Sequence, residues 1–193
     1  MKFIQNSLIC VLLISLALMT GCAKPPTEEM NKAEDAVARA ENDPDAVNYA
    51  GNLVSRAKDS LSLMHQEADA KRYDSAITHA NSAVSLAERA ISEGRAEAQR
   101  ARDQASTLLS ALKPEILETE HRIDKAKADK LPVDFEAIDN DFNTAQMSYD
   151  QAQSAMSSNR YKTAIALCYN VRVSLNDIDQ KLGVTAMEVS RKK

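Results

Sequence analysis

Apolar and small residues recur every three or four positions along most of the chain. One run passes through Val47, Ala50, Val54, Ala57, Leu61, Met64 and Ala68. A second run with identical steps passes through Phe135, Ile138, Phe142, Ala145, Tyr149, Ala152 and Met156, each 88 residues after its counterpart (135 minus 47). This spacing places one face of an α-helix against a neighbouring helix, as in heptad repeats. The pattern therefore predicts long, paired helices.

The segments that follow these two runs repeat at the same offset. The first contains Tyr73, Ala76, Ala80, Ala83, Ala87 and Ala90. The second contains Tyr161, Ala164, Cys168, Val171, Leu175, Ile178 and Leu182. At the two junctions, residues 72–77 read RYDSAI and residues 160–165 read RYKTAI. We interpret the correspondence as an internal duplication of a two-helix unit.

The heptad register is interrupted at both junctions. An unbroken register would place Lys71 and Asn159 on the apolar face, where a charge and an amide are unfavourable. We therefore predict that each unit folds back here as an antiparallel helical hairpin. The predicted turn residues are Arg72, Tyr73, Arg160 and Tyr161. The alternative is one continuous helix with a skip in its register.

The apolar face continues between the two repeats. It passes through Ile91, Gly94, Ala98, Ala101, Ala105, Leu108, Leu112, Ile116, Thr119, Ile123 and Ala126. Pro114 lies within this run, and proline usually kinks or ends a helix. Since a loop would not need to preserve the phase, we predict one kinked helix over about 73–129. The predicted fold class is all-α, with elongated antiparallel helical hairpins, coiled-coil-like heptads and a duplicated two-helix unit.

The N-terminus has the pattern of a secretion signal. Lys2 precedes an apolar run over residues 8–19, which is shorter than the roughly 20 residues that a membrane span needs. The sequence Met19-Thr20-Gly21-Cys22 resembles the lipobox of bacterial lipoproteins. That resemblance implies cleavage before Cys22 and a diacylglyceryl group on its thiol. The alternatives are an ordinary secretion signal with a chance cysteine and an uncleaved anchor.

The residue after the lipidated cysteine bears on localisation. In Gram-negative lipoproteins an Asp at this position resembles an inner-membrane retention signal, and this chain has Ala23. The sequence therefore predicts a lipid-anchored protein of the bacterial cell envelope, with the outer membrane favoured if the organism is Gram-negative.

Helix-capping residues complete the predicted organisation. Asp43 offers an N-cap before Pro44, and Gly183 offers a C-cap after Leu182. The predicted segments are a signal peptide (1–21), a tether (22–27), a short helix (28–41), a first hairpin unit with an extended second helix (44–112), a connecting helix (113–131), a second hairpin unit (132–182) and a C-terminal tail (183–193).

Charge argues against one class of partner, and composition favours long helices. Without Lys2 the chain has 23 Lys and Arg against 28 Asp and Glu, a formal charge of −5 (23 minus 28). The only basic cluster is the tail at residues 191–193, whereas nucleic-acid binding needs a basic surface. We predict no nucleic-acid partner. Glycine is scarce, tryptophan is absent and alanine is abundant, which favours long helices.

No group of residues has the spacing of a catalytic or metal site. His65, His79 and His121 lack ligand partners at zinc spacing. Residues 139–144 lack the glycine of a calcium loop and have Phe142 on the helix face. Cys168 occupies the position that matches Ala80, which predicts a buried, inert thiol. We predict no catalytic residue, metal or cofactor, and hence no enzyme.

The alanine pattern resembles a known family. Leu61, Ala68, Arg72-Tyr73, Ala76, Ala80, Ala83 and Ala87 are similar to a family of small bacterial envelope lipoproteins with an alanine-rich helical hairpin and no established activity. The resemblance covers about residues 46–95 and, more weakly, 134–182. Residues 73–77 are also similar to the second helix of a tetratricopeptide repeat, although the 88-residue period differs from its period of about 34.

These observations lead to two functional hypotheses. The first is a lipid-anchored, non-catalytic envelope lipoprotein that acts as a scaffold or spacer. The alternative is a surface-exposed lipoprotein that binds a host protein or a cell-wall polymer. Both require the membrane as a partner through the N-terminal lipid and a further protein or cell-wall partner.

Overall fold

The computed structural model describes residues 24–191, and the side-chain environments up to Gly183. The described residues form helices α1 (Thr27–Asn42), α2 (Pro44–Tyr49), α3 (Gly51–Asp69), α4 (Tyr73–Ala128), α5 (Phe135–Ser157) and α6 (Tyr161–Arg191). They contain no strand, so the all-α prediction is confirmed. The predicted signal peptide and Cys22 lie outside the described residues.

The chain divides into two compact units between Gly94 and Arg95. The sequence-based boundary lay later, between residues 112 and 113. The division falls inside α4, which contributes residues 73–94 to the first unit and residues 95–128 to the second. The apolar spacing runs through this point without a break, so periodicity alone does not show where one core ends and the next begins.

The core of the first unit is built from four helices, α1 to α4, rather than from a hairpin alone. Helix α1 packs against α3, as the Glu34–His65 contact (3.4 Å) and the Glu41–Lys58 ion pair (2.7 Å) show. Both pairs of residue numbers sum to 99, which makes the two helices antiparallel. The buried side chains of α1 are Ala33, Ala36, Val37 and Ala40. The short helix predicted at 28–41 is therefore part of this core.

The core of the second unit is built from three helices, α4, α5 and α6. Ion pairs join α4 to α6 at Glu115–Arg172 (3.1 Å) and Arg122–Asp179 (2.6 Å), both 57 residues apart (172 minus 115), so these two helices run parallel. Helix α5 lies antiparallel to both of them. The core is formed by large side chains, including Leu112, Ile116, Ile123, Ile138, Phe142, Val171, Leu175 and Ile178.

The entry into the first hairpin differs from the predicted helix. Asp43 caps α2 as predicted, because its Oδ1 accepts hydrogen bonds from the backbone N–H groups of residues 45 and 46 at 3.0 Å. Helix α2 then ends, since Ala50 has non-helical angles of φ −128° and ψ 30°. The heptad spacing from Val47 to Ala50 is lost across this break. The prediction that Val47 lies on the apolar face is wrong: it is 48% exposed, and Ala46 is buried instead.

Two further predictions concern helix ends. Helix α4 continues through Pro114 to Ala128, as predicted from the apolar spacing, which keeps its phase across the proline. In contrast, the predicted C-cap at Gly183 is wrong, because α6 continues to Arg191. A glycine C-cap adopts a positive φ, and Gly183 does not. The segment 183–191 is therefore helical rather than a tail, since one glycine inside a helix costs only about 1 kcal/mol.

Candidate functional site

The predicted turn residues lie at two sharp helix–helix junctions with the same backbone geometry. Lys71 and Asn159 adopt left-handed conformations, with φ of 58° and 57°. The next residue in each case donates its backbone N–H to a carbonyl five residues earlier: Arg72 to Glu67 (2.8 Å) and Arg160 to residue 155 (2.9 Å). This is the Schellman arrangement, which satisfies the free carbonyls at a helix end.

Each arginine also belongs to the helix that follows. The carbonyls of Arg72 and Arg160 accept the backbone N–H groups of Ala76 and Ala164, both at 3.0 Å. Tyr73 and Tyr161 are the first residues of α4 and α6. The connection therefore needs only three residues, and it is made without the Gly or Pro that usually marks such a turn.

The side chains at the two turns form different contacts. The Arg72 guanidinium is paired with the Glu67 carboxylate, with Nη2 donating to Oε1 at 2.8 Å. These hydrogen bonds hold the pKa of Glu67 below its ordinary value and raise that of Arg72. At the second turn the Tyr161 hydroxyl donates to Asn159 Oδ1 at 2.7 Å. The described contacts of these residues stabilise the turns themselves.

The left-handed residue at the first turn offers a stability test. We expect Lys71→Gly to stabilise the protein by about 0.5–1 kcal/mol, because glycine adopts a positive φ without a Cβ clash. Asn159→Gly should gain less, since asparagine tolerates this conformation better. Chemical denaturation measures both. Lys32→Gly, an exposed substitution inside α1, is the control and should destabilise by about 1 kcal/mol. A loss of stability with Lys71→Gly would contradict the assignment.

A cleft of about 540 Å³ lies beside the loop between α4 and α5. It is lined by Pro132, Val133, Asp134, Ala137, Ile138, Asp177, Gln180 and Lys181. Asp134 caps α5, accepting the backbone N–H of Ala137 at 3.1 Å, and Lys181 donates to Asp141 at 2.6 Å. Sequence periodicity does not predict this cleft. Its walls are the loop before α5, the first turn of α5 and a part of α6 about 40 residues later in the chain.

The other candidate residues are separated from one another. His65 is exposed on α3 beside Glu34, and His121 is exposed on α4. Asp139 and Asp141 lie within α5 and pair with Lys127 and Lys181, so they do not form a calcium loop. In the described part of the chain, no group of three or more metal-ligating side chains comes together.

Cys168 is buried, as predicted from its position on the apolar face. It is 1% exposed. Burial raises the pKa of its thiol, and the nearby Arg172 offsets this only in part. The side chain is packed in the core of the second unit.

None of the helices described for this chain combines the length and the apolar character that a membrane crossing requires. Comparisons with protein-family models, with curated proteins and with solved structures find no match to this chain.

Proposed function

We propose that this protein is a lipid-anchored, non-catalytic helical scaffold or spacer of the bacterial cell envelope. The observation that carries the proposal is the sequence Met19-Thr20-Gly21-Cys22, five residues before α1 begins at Thr27 (27 minus 22). A thiol at the start of the mature chain is the nucleophile that accepts a diacylglyceryl group. The proposal retains the resemblance to alanine-rich envelope lipoproteins.

The short link between lipid and fold supports an anchored position for the first unit. Five residues reach at most about 18 Å when fully extended. Pro25 and Pro26 restrict the backbone of this link, and Pro26 is already buried where α1 begins. The first unit is thereby held close to the bilayer surface.

Helix α1 transmits this attachment to the folded chain. Its buried positions Ala33, Ala36, Val37 and Ala40 belong to the same core as the α3–α4 hairpin. Alanine on such a face lets helix backbones approach closely. A helix that is part of the core, rather than a flexible leader, suits a protein whose role is to hold other components in place.

Replacing the lipidated cysteine tests the proposal. We expect Cys22→Ala to abolish incorporation of labelled fatty acid and to move the chain out of the membrane fraction, since two or three acyl chains give firm anchoring. Cys10→Ala, which also removes a cysteine from the N-terminal segment, is the matched control and should leave both properties unchanged. Equal membrane association of Cys22→Ala and wild type would refute the lipoprotein assignment.

Protease treatment of intact cells separates the two functional hypotheses. A scaffold on the inner side of the envelope should resist cleavage until the cells are permeabilised. Cleavage in intact cells would favour the surface-exposed binding protein instead. Labelling of the buried Cys168 thiol reports whether the chain has unfolded before cleavage. The Cys22→Ala variant is the anchoring control.

A further inference from the structure

The packing of the first unit places the start of α1 beside the turn between α3 and α4. The two contacts between α1 and α3, whose residue numbers sum to 99, set the register of these helices. Followed toward the N-terminus, that register puts Met30 beside Asp69, the last residue of α3 (99 minus 30). Met30 and Ala68 both pack against the core of this unit. The turn at residues 70–72 therefore lies at the end of the unit where α1 begins.

The lipid attachment point belongs to the same end. This step rests on the proposed function, in which Cys22 carries the lipid. Lys24 is the first residue that the structure describes, it is exposed, and it follows Cys22 by two positions (24 minus 22). Two residues span at most about 7 Å. The backbone that carries the acyl chains is therefore within about 7 Å of Lys24.

We define the anchor-proximal end of the first unit as residues 24–29 and 69–74. It contains three basic and four acidic side chains, a formal charge of −1 (3 minus 4). Arg72 is neutralised by its ion pair with Glu67. Lys24 and Lys71 are exposed, and neither has an ion-pair partner among the described residues. Two ammonium groups are thus available at this end for a contact outside the chain.

The sides of the unit are poorly suited to lie against a membrane. A helix that rests in the bilayer interface needs a continuous apolar face of large side chains. The apolar stripe of α1 is packed in the core. The large apolar side chains that the described part of the unit leaves exposed are Val47 and Leu63, which lie on different helices. Since no side offers such a face, the lipid favours an orientation with the anchor-proximal end against the bilayer.

Lys71 has a further property that points outward. Its φ of 58° places the backbone in the left-handed region, where a lysine Cβ is unfavourable. The equivalent residue of the second turn is Asn159, a residue type that tolerates this conformation. No ion pair within the described chain offsets the cost at Lys71. An ammonium group on a flexible four-carbon chain suits a phosphate, which it binds as a point charge.

We propose that the anchor-proximal end of the first unit faces the bilayer, and that the ammonium groups of Lys24 and Lys71 contact the phosphates of zwitterionic lipid headgroups. Such a headgroup also presents an ammonium group, to which the carboxylates of Asp69 and Asp74 are complementary. A strongly anionic surface fits less well, because it attracts clusters of Lys and Arg, whereas this end has a formal charge of −1 (3 minus 4).

Lysine acetylation followed by mass spectrometry tests the contact with the natural side chains. The lipidated chain on zwitterionic vesicles is compared with the Cys22→Ala chain in solution. We expect Lys24 and Lys71 to be acetylated several-fold more slowly on the vesicles. Lys58 lies on α3 about 20 Å from Lys71 and is paired with Glu41. It is the internal control and should react at the same rate in both samples.

A graded series of cysteine variants measures the orientation independently. Lys71→Cys, Ser62→Cys and Asn52→Cys are made at exposed positions of the turn and of α3, labelled with a fluorophore and quenched by a lipid with a nitroxide on its headgroup. Positions 62 and 52 are about 14 Å and about 28 Å farther from the turn. Quenching should be strong at position 71, weaker at 62 and lost at 52. Wild type, in which Cys168 is buried, gives the labelling background.

Three results would overturn the proposal. Equal slowing at Lys58 and Lys71, or equal quenching at all three positions, means that the unit lies on its side. Unchanged acetylation of Lys24 and Lys71 means that the bilayer does not touch this end. Slowing that requires anionic vesicles assigns the contact to a different headgroup.

Failure of the proposed function gives a different result. A chain that carries no acyl group and does not associate with vesicles contradicts the lipoprotein assignment. An acylated, vesicle-bound chain without slowed acetylation at Lys24 and Lys71 contradicts only the orientation inferred for the first unit.

Discussion

Replacing Leu112 by alanine should destabilise the second unit by about 2–5 kcal/mol, because it removes a large side chain from a closed core. Leu112 is 0% exposed and packs in the cluster formed by α4, α5 and α6. The loss combines the transfer free energy of the deleted methyl and methylene groups with the cavity that remains. Urea denaturation followed by circular dichroism measures the effect.

The matched control for this substitution is Leu117→Ala. Leu117 is a residue of the same type on the same helix, but it is 58% exposed. Its truncation should change the free energy of unfolding by no more than about 0.5 kcal/mol. Similar losses for Leu112→Ala and Leu117→Ala would show that the described packing of α4 in the second unit is incorrect.

Gly94→Ala should destabilise the first unit by about 1–3 kcal/mol, although alanine is the better helix former. A Cβ atom at position 94 would lie 2.7 Å from the Cα and the backbone N of Ala46 and 2.7 Å from the carbonyl carbon of Asp45. These are main-chain atoms, so no side-chain rotation relieves the overlap. Helix α2 would have to move away from α4, and thermal unfolding should report the loss.

Gly183→Ala and Gly51→Ala are the controls with the opposite expected sign. A Cβ atom at either position meets no atom within 4 Å. Neither glycine has a positive φ, so alanine should stabilise the protein by about 0.4–1 kcal/mol through the unfolded chain. An increase in stability with Gly94→Ala would contradict the close approach of α2 and α4.

Two small residues on the apolar face of α4 show the limit of periodicity as a guide. Gly94 and Ala98 occupy successive positions of one heptad pattern, and both are buried. The pattern indicates that they face inward, but it does not indicate what they face. Only the path of α2 across α4 distinguishes a position where alanine fits from one where it does not.

The turns show a similar limit. The skip in register and the polar residues Lys71 and Asn159 indicate a break at each junction, and the structure places a turn there. The left-handed backbone of Lys71 has no local sign in the sequence, whereas Asn159 is a residue type that tolerates this conformation. The duplication inferred from the 88-residue offset stays a prediction, which the matching φ values of the two turns support.

The amino-acid sequence by itself determined the helical class and most of the buried positions. Spacing by three and four residues is a property of a single helix. The spacing in the sequence was therefore sufficient to assign to the interior such residues as Ala57, Met64, Leu112 and Ile138. The sequence also contains Met19-Thr20-Gly21-Cys22, whose resemblance to a lipobox carries the proposed function.

The tertiary structure alone decided how these helices are grouped. A helix face is compatible with many partners, and only packing in three dimensions selects among them. It placed α1 in the first core and put the division between Gly94 and Arg95. The physical reason is that apolar burial has no direction: periodicity states which side is buried, whereas the neighbour depends on long-range contacts.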